Sequence, residues 1–188
     1  LKSGIIQGKL AKSARQRKND ISCRKEVLLG TNQYPNPEEK HLSDVAQAVK
    51  PESPENQGDP LVSPVRFSRG SEELEKIRMA VEKASPRPVV FLLTVGNHTM
   101  RRARAHFSST FFGCDGYMII DNEGYDDLNR GIKEALASNA NIIVVCSSDE
   151  EYSVYAPEIF SMTGNSAIVV VAGNPPGTEE LRAKGLRN

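Results

Sequence analysis

The stretch VVFLLTVGNHTMRRARAHFSSTFFGCDGYMIIDN, residues 89–122, decides the fold predicted for this chain. Its first seven residues form an unbroken run of apolar, β-branched and aromatic side chains, which is typical of a strand buried on both faces. After Gly96 and Asn97 the period changes, and one helix face is predicted to carry Met100, Ala103, Phe107, Phe111 and Cys114. Residues 117–120 read as a second buried strand. The stretch therefore predicts a βαβ unit with a right-handed crossover.

The same alternation continues to the end of the sequence. It predicts a helix over 125–139, a strand over 141–148, a helix up to residue 160, a strand over 167–172 and a short helix capped by Thr178. Ser148 and Glu151 have the spacing of a capping box at the start of the third helix. We therefore predict an α/β, flavodoxin-like parallel sheet with flanking helices that lacks the last strand and helix of that fold.

The residues before this domain are poor in core-forming side chains. Residues 1–34 are expected to be weakly helical and then extended, and to pack on a larger body. Residues 35–70 are rich in proline and predict a linker. Ser71 is a good N-cap for a helix whose apolar residues recur at helical spacing. The domain is therefore expected over residues 71–188.

Composition excludes several functional classes. The 188 residues hold 24 Lys and Arg against 24 Asp and Glu, which gives no reason to expect nucleic acid as a partner. No apolar run is long enough to span a membrane, and no signal peptide is visible. The three cysteines, Cys23, Cys114 and Cys146, lack metal-ligand spacing, which indicates reduced thiols and a cytoplasmic location.

The loop after the first strand is where chemistry is expected, because ligands of open α/β sheets bind beyond the carboxyl ends of the strands. His98 lies in this loop and could act as a metal ligand or a base, although loop histidines are more often simply exposed. Gly96 stands alone, without the further glycines of a phosphate-binding loop. No nucleophile, base and acid can be assembled, so no catalytic residue and no metal site are predicted.

Three arginines, Arg101, Arg102 and Arg104, open the helix that follows, where positive charge opposes the helix dipole. They could bind phosphates or the carboxylates of another subunit, or form a solvated face. The segment 147–150 could face a ligand or simply cap a helix. The turn containing Gly173 could let the backbone approach a flat ligand or serve as an ordinary turn.

These motifs carry a resemblance to a known family. The stretches VFLLTVGNHTMRRARAHFSSTFFGCDGY, IIDNEGYDDL, VVCSSDEEY and VVVAGNPP resemble the cobalamin-binding-type domain of the methylmalonyl-CoA mutase family, and more closely its small (beta) subunit. The segment GKLAKSARQRKNDISCRKEVLLGTNQYPN looks like the tail that follows the mutase barrel. The resemblance implies a carboxyl-terminal portion of that subunit, with residues 1–34 as the tail of the barrel domain.

The resemblance also shows where this sequence departs from the family. Members that hold cobalamin read Asp-x-His-x-x-Gly in the first loop, and here those positions are His98, Met100 and Ala103. Ser147 keeps a family serine, and Gly173 keeps one glycine of a pair. We therefore treat Gly96, His98, Met100, Ser147 and Gly173 as positions of a vestigial pocket. The space for the cofactor tail is expected to be filled by Phe107, Phe111 and Phe112.

The function implied is that of a non-catalytic small subunit, which assembles with the large (alpha) subunit of a heterodimeric mutase. Adenosylcobalamin is expected on the partner subunit and not on this chain. The three arginines would then serve in subunit contact. Two alternatives stay open: a cobalamin-carrying domain that uses His98 as a shifted ligand, and a flavin-type small-molecule-binding domain.

Overall fold

A parallel sheet flanked by helices forms the body of the protein. The structure is a computed structural model that describes residues 4–36, 39, 65 and 68–183. Its helices are α1 (Ile5–Ser22), α2 (Glu72–Lys83), α3 (His98–Cys114), α4 (Leu128–Ala137), α5 (Tyr152–Thr163) and α6 (Thr178–Ala183). Its strands are β1 (Val89–Thr94), β2 (Met118–Ile120), β3 (Ile142–Cys146) and β4 (Ile168–Val171).

The four strands are all parallel and lie in the order β2-β1-β3-β4. In the register, Val90 pairs with Ile119 on one side and with Ile142 on the other, so β1 is hydrogen-bonded along both edges. This arrangement confirms the predicted α/β, flavodoxin-like class. The order reverses between β1 and β3, and this places a crevice beyond their carboxyl ends.

Alternate side chains of the strands enter two apolar clusters, one on each face of the sheet. Phe91, Leu93, Ile143 and Val145 pack against α4 and α5. Val90, Leu92, Val144 and Cys146 pack against α3. Full burial of a large aliphatic side chain contributes about 1.5–3 kcal/mol, so the VVFLLT run is a main source of the stability of the domain.

The predicted helix over 125–139 begins later than its apolar spacing suggested. Asp127 caps α4 by accepting a hydrogen bond from the Asn129 amide at 3.0 Å, so the helix begins at Leu128. Tyr125 lies outside the helix and forms an isolated bridge with Val95, and its hydroxyl donates to Glu134 at 2.7 Å. The α5 helix runs through Pro157 to Thr163, three residues beyond its predicted end.

The apolar face predicted for α3 coincides with its buried face only at Cys114. Phe107 and Phe111 are 53% and 41% exposed, whereas Ala105 and Ser108 are buried against the sheet. The two rings stack on each other, and the Arg24 guanidinium lies 5.0 and 5.2 Å from their centroids. Because a cation covers the rings from outside, the aromatic stripe does not have to face the core.

The amino-terminal segment forms a helix, as predicted, but not a strand. In α1 the buried side chain is that of Ile21, and residues 26–33 form turns with an isolated Leu29–Gln33 bridge. Lys18 pairs with Glu73 at 3.4 Å, and Ile21 contacts Gly70, so this segment lies against the start of α2. The linker predicted over 35–70 lies almost entirely outside the described residues. Within the described part of the chain, no helix combines the length and apolarity needed to cross a membrane.

Arg78 ties the segment before the domain to the end of α3. This side chain of α2 is only 4% exposed, and its guanidinium donates to the carbonyls of Asn36, Glu39 and Cys114 at 3.2, 2.7 and 3.4 Å. Its Nε also donates to Glu82 at 3.1 Å. A buried charge is tolerated when its donors are satisfied in this way.

Candidate functional site

Two loops meet at the crevice beyond the carboxyl ends of β1 and β3. The first loop carries Gly96 and Asn97 and leads into α3. The second runs from Ser147 to Glu151 and leads into α5. Because both loops precede helices, both present backbone N–H groups with no partner inside the helix. The crevice is therefore lined with hydrogen-bond donors.

The Glu151 carboxylate occupies the point where the two loops meet. It accepts hydrogen bonds from the Asn97 amide at 3.0 and 3.2 Å and from the Ser147 hydroxyl at 2.6 Å. It also accepts from the amide and the hydroxyl of Ser148 at 3.3 and 3.0 Å. Four donors from two loops thus converge on one carboxylate, and Ser147 is fully buried.

This environment holds Glu151 in its charged form. Burial alone would raise the pKa of the carboxyl, but the hydrogen bonds from Asn97, Ser147 and Ser148 outweigh it and lower the pKa to about 2. Hydrogen bonds that favour the ionised form act in this direction. The carboxylate is therefore a fixed negative charge across the physiological pH range.

Gly96 makes room for this carboxylate. Its φ of +74° is a left-handed conformation that side chains rarely adopt, and a Cβ at this position would fall on the Glu151 carboxylate. The absence of a side chain thus serves both the turn and the close approach. The glycine that the sequence marked as a pocket position contacts the protein's own side chain.

Tyr152 and an ion pair fill the crevice toward β4. The Tyr152 ring is fully buried, and its hydroxyl accepts from the Ser147 amide at 3.1 Å and donates to the Ala172 carbonyl at 2.8 Å. Arg104 pairs with Asp149 at 2.9 Å. A Cβ at Gly173 would lie 2.8 Å from Asp149 and 3.0 Å from Tyr152, so this position is also covered.

The structure brings together some of the predicted pocket positions and not others. Gly96 and Ser147 both contact the Glu151 carboxylate, and Gly173 lies against Tyr152. His98 is exposed at the start of α3 and takes part in none of these contacts. Met100 contributes only its backbone amide, which donates a hydrogen bond to the Asn97 side chain at 3.0 Å.

The three arginines have partners inside the chain. Arg101 donates to the Gly96 carbonyl at 3.3 Å, and its side chain is 11% exposed. Arg102 donates to the Asn122 carbonyl at 2.8 Å, and its side chain is 46% exposed. Arg104 is held by Asp149, as described above. Their role in subunit contact is not tested by these contacts and stays a prediction.

The space between α3 and the sheet holds only one of the three aromatic residues expected there, Phe112, which packs against the apolar cluster of that face. Phe107 and Phe111 lie on the outer face, so they cannot fill it. Phe112 is half-buried and packs edge-on against Tyr117 at 5.6 Å, at the other end of α3. The Tyr152 ring lies at the crevice but belongs to the apolar cluster on the opposite face of the sheet, and no spacing in the sequence predicts its position.

Sequence reasoning missed Glu151 and Asn122 as members of the site. The sequence predicts only a local cap for Glu151, and that interaction with the Ser148 amide does exist. The sequence signal for a wider role of Glu151 was its position shortly after two serines at the end of a central strand. Asn122 follows β2, accepts from the Thr94 hydroxyl and donates to the Leu92 carbonyl at 2.6 Å, and so joins β1 to β2 at the crevice.

Burial shifts the pKa of two further groups in the described part of the chain. Burial raises the pKa of the Cys146 thiol to about 12, so the reactive thiolate is scarce there. Burial also raises the pKa of Asp115, which lies at the opposite edge of the sheet, to about 6. Among the described residues, no three His, Cys, Asp or Glu side chains cluster closely enough to hold a metal ion.

The residues present do not fit adenosylcobalamin, the group that the resemblance implies. The amides and hydroxyls of the two loops are already taken by Glu151, and the faces of Gly96 and Gly173 are covered. Tyr152 fills the crevice beside them. A bound cofactor would have to displace a buried ring, an ion pair and a charged carboxylate.

Comparisons with known proteins agree with the resemblance. The chain is 45% identical over 97% of its length to the methylmalonyl-CoA mutase small subunit of Porphyromonas gingivalis. It is 30% identical over 79% of its length to a probable methylmalonyl-CoA mutase small subunit of Mycobacterium tuberculosis. The corresponding figures for the small subunit of Streptomyces virginiae are 27% and 85%. No protein-family model matches the chain.

The matched regions are parts of longer proteins. The chain spans 29%, 22% and 25% of the length of these three relatives, respectively. Within that span, the resemblance to mutase small subunits that the sequence suggested is confirmed.

Proposed function

We propose that this chain, a homologue of the methylmalonyl-CoA mutase small subunits, is a non-catalytic part of a heterodimeric mutase that assembles with the large (alpha) subunit. The assembled enzyme would interconvert methylmalonyl-CoA and succinyl-CoA, with adenosylcobalamin bound by the partner subunit. The observation that carries the proposal is the closed crevice: Glu151 and Tyr152 occupy the place where open α/β sheets take their ligands. A cytoplasmic location is part of the proposal, and the free thiols Cys23, Cys114 and Cys146 support it.

Arg102 is the arginine best placed to contact a partner. Its side chain is 46% exposed, whereas those of Arg101 and Arg104 are 11% and 28% exposed and hold the loops of the crevice. We therefore keep all three as contact residues of the proposal but expect different consequences of their loss. Replacement of Arg102 should weaken assembly alone, while replacement of Arg104 should also disturb the crevice through Asp149.

The test is co-expression of the full-length small subunit with its large subunit, followed by size-exclusion chromatography with light scattering. We expect a heterodimer, and we expect Arg102→Gln to raise the dissociation constant by about twofold to fivefold, in the range typical for an exposed charge pair. Arg130→Gln is a matched control, because Arg130 is an exposed arginine on α4. A variant that assembles normally but loses turnover would contradict the contact role.

A second measurement separates the alternatives. Cobalamin is titrated into the purified full-length small subunit while its visible spectrum is recorded, and the absorbance of the pure protein is examined for flavin. We expect no stoichiometric spectral change and no flavin absorbance. A stoichiometric change that is lost in His98→Ala would favour the cobalamin-carrying alternative, and a yellow protein would favour the flavin-type domain.

A further inference from the structure

The donors around Glu151 converge on a single oxyanion, its own carboxylate. Two of the donors are backbone amides, of Asn97 and Ser148, and two are hydroxyls, of Ser147 and Ser148. They come from two separate loops and point at a single carboxylate. In general, a set of N–H and O–H donors that converges on one point recognises carboxylates and phosphates.

The occupant of this site is covalently part of the chain. Glu151 directly precedes α5 as its N-cap residue, and its side chain reaches back across Gly96 to the other loop. Simple helix capping requires only the contact with the Ser148 amide. The contacts with Asn97 and Ser147 go beyond capping, since they join loops that follow different strands.

We propose that the crevice above β1 and β3 is a small-oxyanion site that the chain fills with its own Glu151 carboxylate, and that this side chain closes the site to external carboxylates and phosphates. The inference does not rest on the assembly role, because it concerns the isolated chain. It makes Glu151 the residue that decides whether the crevice can accept an anionic ligand.

Acetate is the probe that tests the proposal. In Glu151→Ala the atoms removed are the Cγ methylene and the carboxylate, which together have the size and charge of an acetate ion. The amides and hydroxyls that remain would be unpaired and oriented for an oxyanion. Acetate should therefore restore what the substitution removes, whereas acetamide, which has the same shape and no charge, should not.

The experiment measures the midpoint of thermal unfolding at constant ionic strength, with sodium chloride replaced stepwise by sodium acetate. In Glu151→Ala we expect a saturable rise of about 4 °C when acetate reaches roughly ten times its dissociation constant. The wild type should show no saturable rise with acetate or with inorganic phosphate. Glu150→Ala is the matched control, because it removes a neighbouring exposed carboxylate of the same kind.

Two results would overturn the proposal. One is an equal acetate response in the wild type and both variants, which would be a general salt effect. The other is a folded Glu151→Ala protein that does not respond to acetate at all.

A measurement on the wild type keeps the test independent of whether the variant folds. The amide resonances of Asn97 and Ser148 are followed by NMR as the pH falls from 7 to 4. A carboxylate that is bound in the site stays ionised over this range, so we expect no titration step in these two amides. A step with a midpoint near 4.5, the ordinary pKa of a glutamate, would show that the carboxylate is not bound there.

Discussion

Glu151 and Asp115 are two carboxylates at opposite edges of the same parallel sheet. Glu151 follows β3 at the carboxyl edge, where it accepts hydrogen bonds from two loops. Asp115 follows α3 at the amino edge, is 9% exposed, and its Oδ1 accepts no hydrogen bond from any residue that the structure describes. The pKa of Glu151 is lowered to about 2, whereas burial raises that of Asp115 to about 6 against the opposing effect of Arg24 and Arg78.

The polarity of the fold accounts for this difference. In a parallel α/β sheet the helices begin at the carboxyl edge of the strands and end at the amino edge. The beginnings of helices offer free N–H groups and positive partial charge, while their ends offer carbonyls and negative partial charge. A carboxylate is therefore stabilised at one edge and destabilised at the other, and burial alone does not decide its protonation.

The largest effect is expected when the close approach at the carboxyl edge is blocked. Gly96→Ala should lower the free energy of unfolding by about 3 kcal/mol, of which about 1 kcal/mol is left-handed backbone strain and the rest is displacement of the Glu151 carboxylate. Chemical denaturation of the wild type and the variant measures the change.

A double-mutant cycle isolates the contact. In a Glu151→Ala background the same Gly96→Ala change should cost only about 1 kcal/mol, because the clash is gone. Gly177→Ala is a matched control, since Gly177 has a φ of +81° and nothing within 4 Å of its Cβ position. Equal effects of Gly96→Ala in both backgrounds would show that the carboxylate does not occupy that space.

A smaller effect, with a defined pH dependence, is expected from neutralising Glu151. Glu151→Gln should lower the free energy of unfolding by about 2 kcal/mol at pH 7, because charge-assisted hydrogen bonds are replaced by weaker ones. The folded pKa is about 2 and the ordinary value is 4.5, so this stability is present above pH 4.5 and is lost as the pH falls toward 2. Urea titrations between pH 7 and pH 3 should show the two proteins converging, whereas Glu150→Gln should match the wild type throughout.

The smallest effect, of opposite sign, is expected at the amino edge. Asp115→Asn should raise the free energy of unfolding by about 1 kcal/mol at pH 8, because it removes a buried charge with an unpaired oxygen. The folded pKa of about 6 lies above the ordinary 3.8, so the penalty is full above pH 6 and absent below 3.8. The gain measured by urea denaturation should therefore disappear near pH 4. A variant that is less stable than the wild type at pH 8 would contradict this account.

The order of strands and helices was predictable from the sequence because it follows from local periodicity. The VVFLLT run could only be a strand buried on both faces, and it occupies the centre of the sheet. The orientation of α3 was not predictable in this way. Arg101 and Arg104 pair with Asp126 and Asp149, in loops that follow other strands. Phe107 is covered by Arg24 from a distant segment. No spacing within the helix contains those contacts.

The residues of the site also divide into those that the sequence could identify and those that it could not. Gly96, Ser147 and Gly173 were identifiable because each follows a strand at the edge where ligands bind. For Glu151 the sequence predicts only the local cap, because the spacing from Ser148 explains that contact and nothing in the sequence shows the reach to Asn97. His98 had the right chemistry in the right loop, yet it lies exposed at the start of α3. Chemistry and loop position therefore did not suffice, because tertiary contacts decide which side chain fills the crevice.

The position of β1 between β2 and β3 has a consequence for synthesis on the ribosome. Val89 pairs with Met118, but the other edge of the strand must wait for Ile142 and the rest of β3 to emerge. Parallel pairing across so much intervening chain is slow, and the unpaired edge of an apolar strand is a template for association with other nascent chains. A pause in translation after β2 would leave the strand at the centre of the sheet exposed, and chaperone capture should be strongest at that length.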